Sequence, residues 1–216
     1  MEPHRSVRIK NGDVYGTLLS EHPYMIDRAR ANYSKAHSYR GFLVGAVGFA
    51  VDHARETGYF FDGSNVKKSK HADKVCAEKR IIASVHKKQL EQVVGIVVAA
   101  TTDRDKIEEV TGLRTPTLHC CDDCRQLLAD SHSVSDNTLI TTIGVTKDIY
   151  EVHDFGTMSM AYDTQTMTPA QPIEYHPELW SNREVVYEKL SANYDHLRRS
   201  SDAARAAIYA MTVNAA

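Results

Sequence analysis

The chain has 216 residues, 42% of them hydrophobic and 25% charged. Those are ordinary globular values, and they exclude disorder, a collagen-like repeat or a coiled-coil rod as the whole molecule. Lys and Arg total 26 against 28 Asp and Glu, a net charge of −2, so no overall basic field exists to hold a nucleic-acid backbone, and a small-molecule partner is expected.

Residues 1–20 show no sustained period and contain Gly12 and Gly16; they read as a loosely packed N-terminal arm. Met1-Glu2-Pro3-His4 is too polar to open a signal peptide, and the longest apolar run, 42–51, is too short to span a bilayer. A soluble, cytoplasmic protein without a membrane partner is the expectation. A helix is predicted over 25–33, with Met25, Ile26 and Ala29 on one side. The run FLVGAVGFAV at 42–51 predicts a strand whose glycines allow close backbone approach. A second strand over 58–62 would complete a hairpin.

From 75 to 85 the pattern changes. Val75, Ala77, Ile81, Ile82 and Val85 fit a helix lying on a sheet. The continuous run VVGIVVAA at 93–100 predicts a strand covered on both faces. Residues 121–129 predict a helix, with Asp122 and Asp123 near its positive end. Strands follow over 139–145, 149–152 and 158–162. This alternation is that of a layered α/β domain. Three prolines within 164–177 mark a linker, and Leu179, Val186, Leu190, Tyr194 and Leu197 recur at helical steps beyond it. The expected organisation is an arm at 1–20, a catalytic domain at 21–163, a Pro-rich linker at 164–177 and a helical C-terminal extension at 178–216.

The cysteines carry the chemistry. Cys120, Cys121 and Cys124 cluster, and Cys76 stands apart. A secreted disulfide scaffold distributes its cysteines differently, so this pattern reads as reduced thiols at a metal site. Cys76-Ala77-Glu78 opens one predicted helix and Cys121-Asp122-Asp123-Cys124 opens another. Helix starts favour thiolates through their unpaired N–H groups and dipole. Three thiolates fill three corners of a zinc tetrahedron and leave the fourth for water, whose pKa zinc lowers toward neutrality. Glu78, two residues from a ligand, suits a proton shuttle. The alternative is a closed structural zinc site completed by Cys120 or His119. C-A-E followed downstream by C-x-x-C matches the signature of the zinc nucleobase deaminases.

At these residues the chain resembles the three-cysteine cytidine deaminases and the related blasticidin S deaminases. Tyr39-Arg40-Gly41-Phe42-Leu43-Val44-Gly45-Ala46 is similar to their Y-S-x-F-x-V-G-A segment, Phe61-Asp62-Gly63-Ser64-Asn65-Val66 to F-x-G-x-N-V/I, and Cys124-Arg125-Gln126 to C-R-Q. The resemblance implies a three-layer α/β/α fold with a five-stranded mixed sheet, assembled as a homotetramer. It implies Zn2+ on Cys76, Cys121 and Cys124, and Glu78 as the catalytic proton carrier. It implies substrate contacts at Phe42, Asn65 and Ala77.

Three departures from the family pattern stand out. An acidic residue that would accept from a sugar hydroxyl is Lys67 here, and an ammonium cannot accept. A proline is replaced by Cys120, and two small residues by Asp122 and Asp123. Lys67 becomes a candidate contact to an anionic group on the substrate, and Lys79 or Arg80 a candidate to offset the charge of zinc with three thiolates. The expected function is zinc-dependent hydrolytic deamination of a cytosine-like aminopyrimidine nucleoside. The alternatives are a modified or anionic cytosine nucleoside or nucleotide as substrate, or a non-catalytic zinc interaction module.

Overall fold

Alternation along the central apolar run sets up two cores. In the computed structural model, which describes residues 3–101, 120–145 and 149–154, this run forms strand β3 (Val44–Asp52). Val47, Phe49 and Val51 point to one face of the sheet, and Val44, Ala46 and Ala50 to the other, as the two-residue period of a strand requires. The first face packs against α1 (Val14–Tyr33), through Leu18, Met25 and Ala29. The second packs against α2 (Ala77–Lys88) and α3 (Asp122–Ala129), through Ile81, Ile82, Val85 and Leu128. The result is the expected three-layer α/β/α arrangement.

Remaining strands are β1 (Arg5–Arg8), β2 (His37–Ser38), β4 (Thr57–Ser64), β5 (Val66–Lys67), β6 (Gln92–Ala100), β7 (Leu139–Gly144) and β8 (Ile149–Asp154). The main sheet runs β1-β4-β3-β6-β7-β8. Its β6–β7 pair is parallel and its other pairs antiparallel. A parallel pair needs a crossover rather than a hairpin, and α3 lies in that connection. The expected five-stranded mixed sheet is β4-β3-β6-β7-β8. The β3–β4 hairpin has Phe49 opposite Phe60. A separate parallel ribbon pairs β2 with β5.

The N-terminal reading needs correction. The described part of the expected arm at 1–20 is not loose: β1 pairs with the β4 edge as a sixth strand, and α1 begins at Val14 rather than Met25. Asp13 caps that helix, its Oδ1 accepting from the Gly16 N–H at 2.8 Å. Pro23 lies inside the helix. Tyr15, Leu18 and Met25 are buried, and their packing on the sheet carries the helix past residues that disfavour it locally. Gly45 lets α1 approach closely, since a Cβ there would lie 2.0 Å from the Tyr33 backbone nitrogen.

No helix among the described residues is long and apolar enough to cross a membrane. The strand expected at 158–162, the linker, the helical extension and His119 lie outside the described residues.

Candidate metal centre and active site

Two helix starts meet over one end of the sheet. The segment leading into α2 is held extended by paired backbone hydrogen bonds between Val66 and Val75, at 2.9 and 3.0 Å. It delivers Cys76 as the N-cap of α2, in extended geometry. The first turn of α2 rests on β4 at Gly63, where a Cβ would come within 2.2 Å of the Ala77 carbonyl oxygen. Gly63 therefore sets how deep the helix start sits. Cys121 is the N-cap of α3, and the Cys124 N–H donates to its carbonyl at 2.9 Å. That turn folds Cys124 back beside Cys121.

The Sγ atoms of Cys76, Cys121 and Cys124 all lie within 4.8 Å of one another, and the Cys76–Cys121 separation is 3.8 Å. A zinc tetrahedron with Zn–S bonds of ~2.3 Å has edges of ~3.8 Å. Donor type, number and spacing therefore fit zinc. Cys121 ionises far below the usual thiol range, because the thiols of Cys124 and Cys76 both donate to it. The same shared hydrogen bond pushes Cys76 up to about 12 and raises Cys124 as well. A bound metal ion takes the place of those shared protons.

Glu78 is buried one turn into the same site. Burial raises its carboxyl above the usual range, and the charge of Cys121 adds to this; its own N–H and the Cys120 thiol, both bonded to it, pull partly the other way. A carboxyl balanced like this can both hold and release a proton. Cys120 is itself fully buried. Burial first, then the charge of Glu78, keeps it protonated and hence a donor. Its carbonyl accepts from Nη1 of the buried Arg125 at 2.6 Å. Cys120 thus turns to Glu78 and stays outside the three-thiol cluster.

The residues expected to contact substrate fall into two groups. Phe42 and Ala77 are buried in the same apolar cluster as Cys76 and Cys124. Asn65 bridges the backbone on either side of Leu43: its Nδ2 donates to the Phe42 carbonyl at 2.8 Å and its Oδ1 accepts from the Val44 N–H at 2.9 Å. One N–H and one lone pair remain on that amide for another partner. Lys67 lies apart, on β5, with Nζ 5.9 Å from the centre of the Tyr39 ring. The Arg40 guanidinium lies 5.5 Å from the same ring, and its Nε donates to the Tyr39 hydroxyl at 2.8 Å.

Neither cation expected beside the thiolates is found there. Lys79 is exposed, and Arg80 lines a recess of about 200 Å³ with Lys35, Asp62 and Ser64. Lys74 is there instead, its Nζ 3.2 Å from the Cys121 Sγ. Partial desolvation works against its charge, but the charges of Cys121 and Cys76 outweigh it and raise its pKa. The missed signal was spacing: on an extended segment, residues two apart share a side, so Lys74 accompanies Cys76. Asp123 is exposed at the α3 start, and His71 is exposed.

A sequence profile of the "Cytidine and deoxycytidylate deaminase zinc-binding region" matches residues 19–139. No curated protein matches the sequence significantly. Among solved structures, cytidine deaminase from Burkholderia pseudomallei is 21% identical, with a TM-score of 0.49 over 63% of this chain and 94% of its own. The Mycobacterium leprae enzyme is 19% identical, with a TM-score of 0.45 over 63% of this chain and 95% of its own. The Mycobacterium tuberculosis enzyme is 18% identical, with a TM-score of 0.45 over 64% and 93%. With that profile matched over more than half of its length and three thiols gathered at zinc spacing, the chain belongs to the zinc-dependent cytidine and deoxycytidylate deaminase family of hydrolases.

Proposed function

We propose that the chain hydrolyses the exocyclic amine of a cytosine-like aminopyrimidine nucleoside, releasing ammonia. The observation that carries this reading is the buried carboxyl of Glu78 beside three thiols spaced for zinc. Cys76, Cys121 and Cys124 would hold the metal, which supplies an activated water when bound. Glu78 would take one proton from water and deliver it to the ring nitrogen, then take the second from the added hydroxyl and pass it to the departing amine. Cys120 orients the Glu78 carboxyl from behind. Phe42 and the Ala77 backbone bound the base, and the unused valences of Asn65 serve a sugar hydroxyl. The homologous solved proteins are cytidine deaminases by name, which agrees with this substrate class.

A second reading is favoured by Lys67. With Arg40 also near the Tyr39 ring, it would offer positive charge to a phosphate or carboxylate on the substrate. Cytidine, deoxycytidine, CMP, cytosine and a carboxylate-bearing cytosine nucleoside, read by ammonia release, separate the two. Activity on none of them would overturn the deaminase reading. Lys67→Glu should weaken an anionic substrate by about 1.5–3 kcal/mol in kcat/KM and improve cytidine. Equal values for both proteins on every substrate would remove Lys67 from the site. A non-catalytic zinc module predicts stoichiometric zinc with no turnover in wild type.

We further propose a homotetramer in the cytoplasm. Four free cysteines among the described residues suit a reducing compartment. Sedimentation at micromolar concentration tests the assembly, and a lone monomer would refute it.

A further inference from the structure

We infer that Lys74 is a positioning residue for the metal centre, a fixed positive charge that withdraws electron density from the Cys121 sulfur. The inference rests on Cys76, Cys121 and Cys124 being the zinc ligands.

Its placement is built into the fold. Lys74 adjoins Val75, whose N–H and carbonyl are both bonded to Val66. That pairing anchors the backbone immediately before Cys76, so the lysine is not on a free loop at this point. From there its Nζ reaches the Cys121 Sγ at 3.2 Å, a contact joining the approach to α2 with the start of α3. Cys121 is half-buried, whereas Cys76 and Cys124 are buried, so it is the sulfur a surface cation can reach. The other cations near the two helix starts point elsewhere: Lys79 to solvent, Arg80 to the recess beside Asp62, and Arg125 to the Cys120 carbonyl.

The charge arithmetic gives the contact its effect. Three thiolates and a divalent zinc sum to one negative charge, and one ammonium brings the group to neutrality. A hydrogen bond to a ligating sulfur lowers its donation to the metal and leaves the metal a stronger Lewis acid. Partners of this kind tune metal sites about 10–100-fold in affinity or activity when removed. Lys74 is exposed, and the contact given for it among the described residues is the one to the Cys121 sulfur, so its effect is expected chiefly at the metal site.

Lys74→Met and Lys74→Arg test this in the full chain. Zinc content of the wild type is measured first, and a protein without zinc bound through its cysteines overturns both this inference and the ligand assignment. With zinc present, cobalt is exchanged in and the thiolate-to-cobalt charge-transfer band recorded. Lys74→Met should move the band to longer wavelength, because more electron-rich sulfurs give up charge more easily. It should also lower kcat/KM on cytidine by about 10–100-fold with metal content unchanged. Lys74→Arg should restore both. A Lys74→Met protein matching wild type in band position and kcat/KM, or a Lys74→Arg protein behaving like Lys74→Met, overturns the inference while leaving the deaminase reading intact.

Discussion

On the α1 face of the sheet, His22 shares a 3.0 Å hydrogen bond with Thr141, and Asn32 donates to both the Ala46 carbonyl and Asp62, at 3.0 and 2.6 Å. Arg28 clamps the same Asp62 carboxylate. On the opposite face, Cys76, Cys124 and Glu78 are also withdrawn from water and Cys121 is half-buried, yet their polar atoms converge on one another rather than on structural partners. A buried polar group costs stability unless it is satisfied. The α1 face pairs His22 Nε2, Asn32, Arg28 and Asp62 within the protein, leaving His22 Nδ1 without a partner among the described residues, and these contacts hold α1 to β4 and β7. The α2–α3 face gathers donors that need an ion. One sheet thus separates polar groups that hold the fold from thiols gathered at zinc spacing.

Substitutions on the two faces should therefore fail in different ways. The largest effect is expected for Cys124→Ser: stoichiometric zinc is lost, and with it measurable turnover, read by metal analysis and ammonia release. Retained zinc and activity would break the contrast at its centre. Glu78→Gln should lower kcat by about 10²–10⁴-fold while zinc content stays at one per chain. Loss of the metal as well would assign Glu78 to the ligand shell.

Much of the chemical face is legible in the sequence, and the reason is local. A cysteine before a helix and a glutamate two residues on have their relation set within one turn, so Cys76-Ala77-Glu78 and Cys121-x-x-Cys124 can be read directly. Likewise β3 and β6 stand out as apolar runs, the unbroken one at 93–100 reading as a strand covered on both faces. The contacts that depend on how two helix starts meet are not legible. Cys120 against Glu78 and Lys74 against Cys121 are of this kind. The start of α1 was hidden for another reason: Gly16 and Pro23 mimic a break, and only packing on the sheet overrides them. In β1, Arg-Ser-Val-Arg offers a single apolar residue, and β2 and β5 are two residues each, paired by tertiary register alone.

The α1 face should respond to pH and to truncation without affecting the metal. Burial lowers the His22 pKa from 6.5 to about 4. The unfolded chain takes a proton there near pH 6.5, and the folded chain refuses it until near pH 4. Its contribution is therefore complete above pH 6.5 and is lost as pH falls toward 4, on the order of 3 kcal/mol in all. Denaturant titrations of wild type and His22→Gln across that window measure the difference. Parallel curves would show that His22 titrates normally. Smallest of the four, Asn32→Ala should cost about 1–3 kcal/mol by leaving Asp62 and the Ala46 carbonyl short of a donor. Its zinc content should stay at wild-type level. Loss of zinc without loss of stability would mean that the two faces are not separate.

The parallel pairing of β6 with β7 has a consequence for the order of assembly. Cys121 and Cys124 are neighbours in the chain, and a newly made chain can present them as a pair at once. Cys76 is 45 residues from Cys121. It reaches the pair only when β6 has been laid beside β3 and the crossover through α3 has closed. A metal bond from Cys76 would therefore close a long loop whose entropy cost the sheet has already met. Zinc held by all three sulfurs would then be a late event that depends on a correctly threaded sheet, since only the Cys121–Cys124 pair is local in sequence.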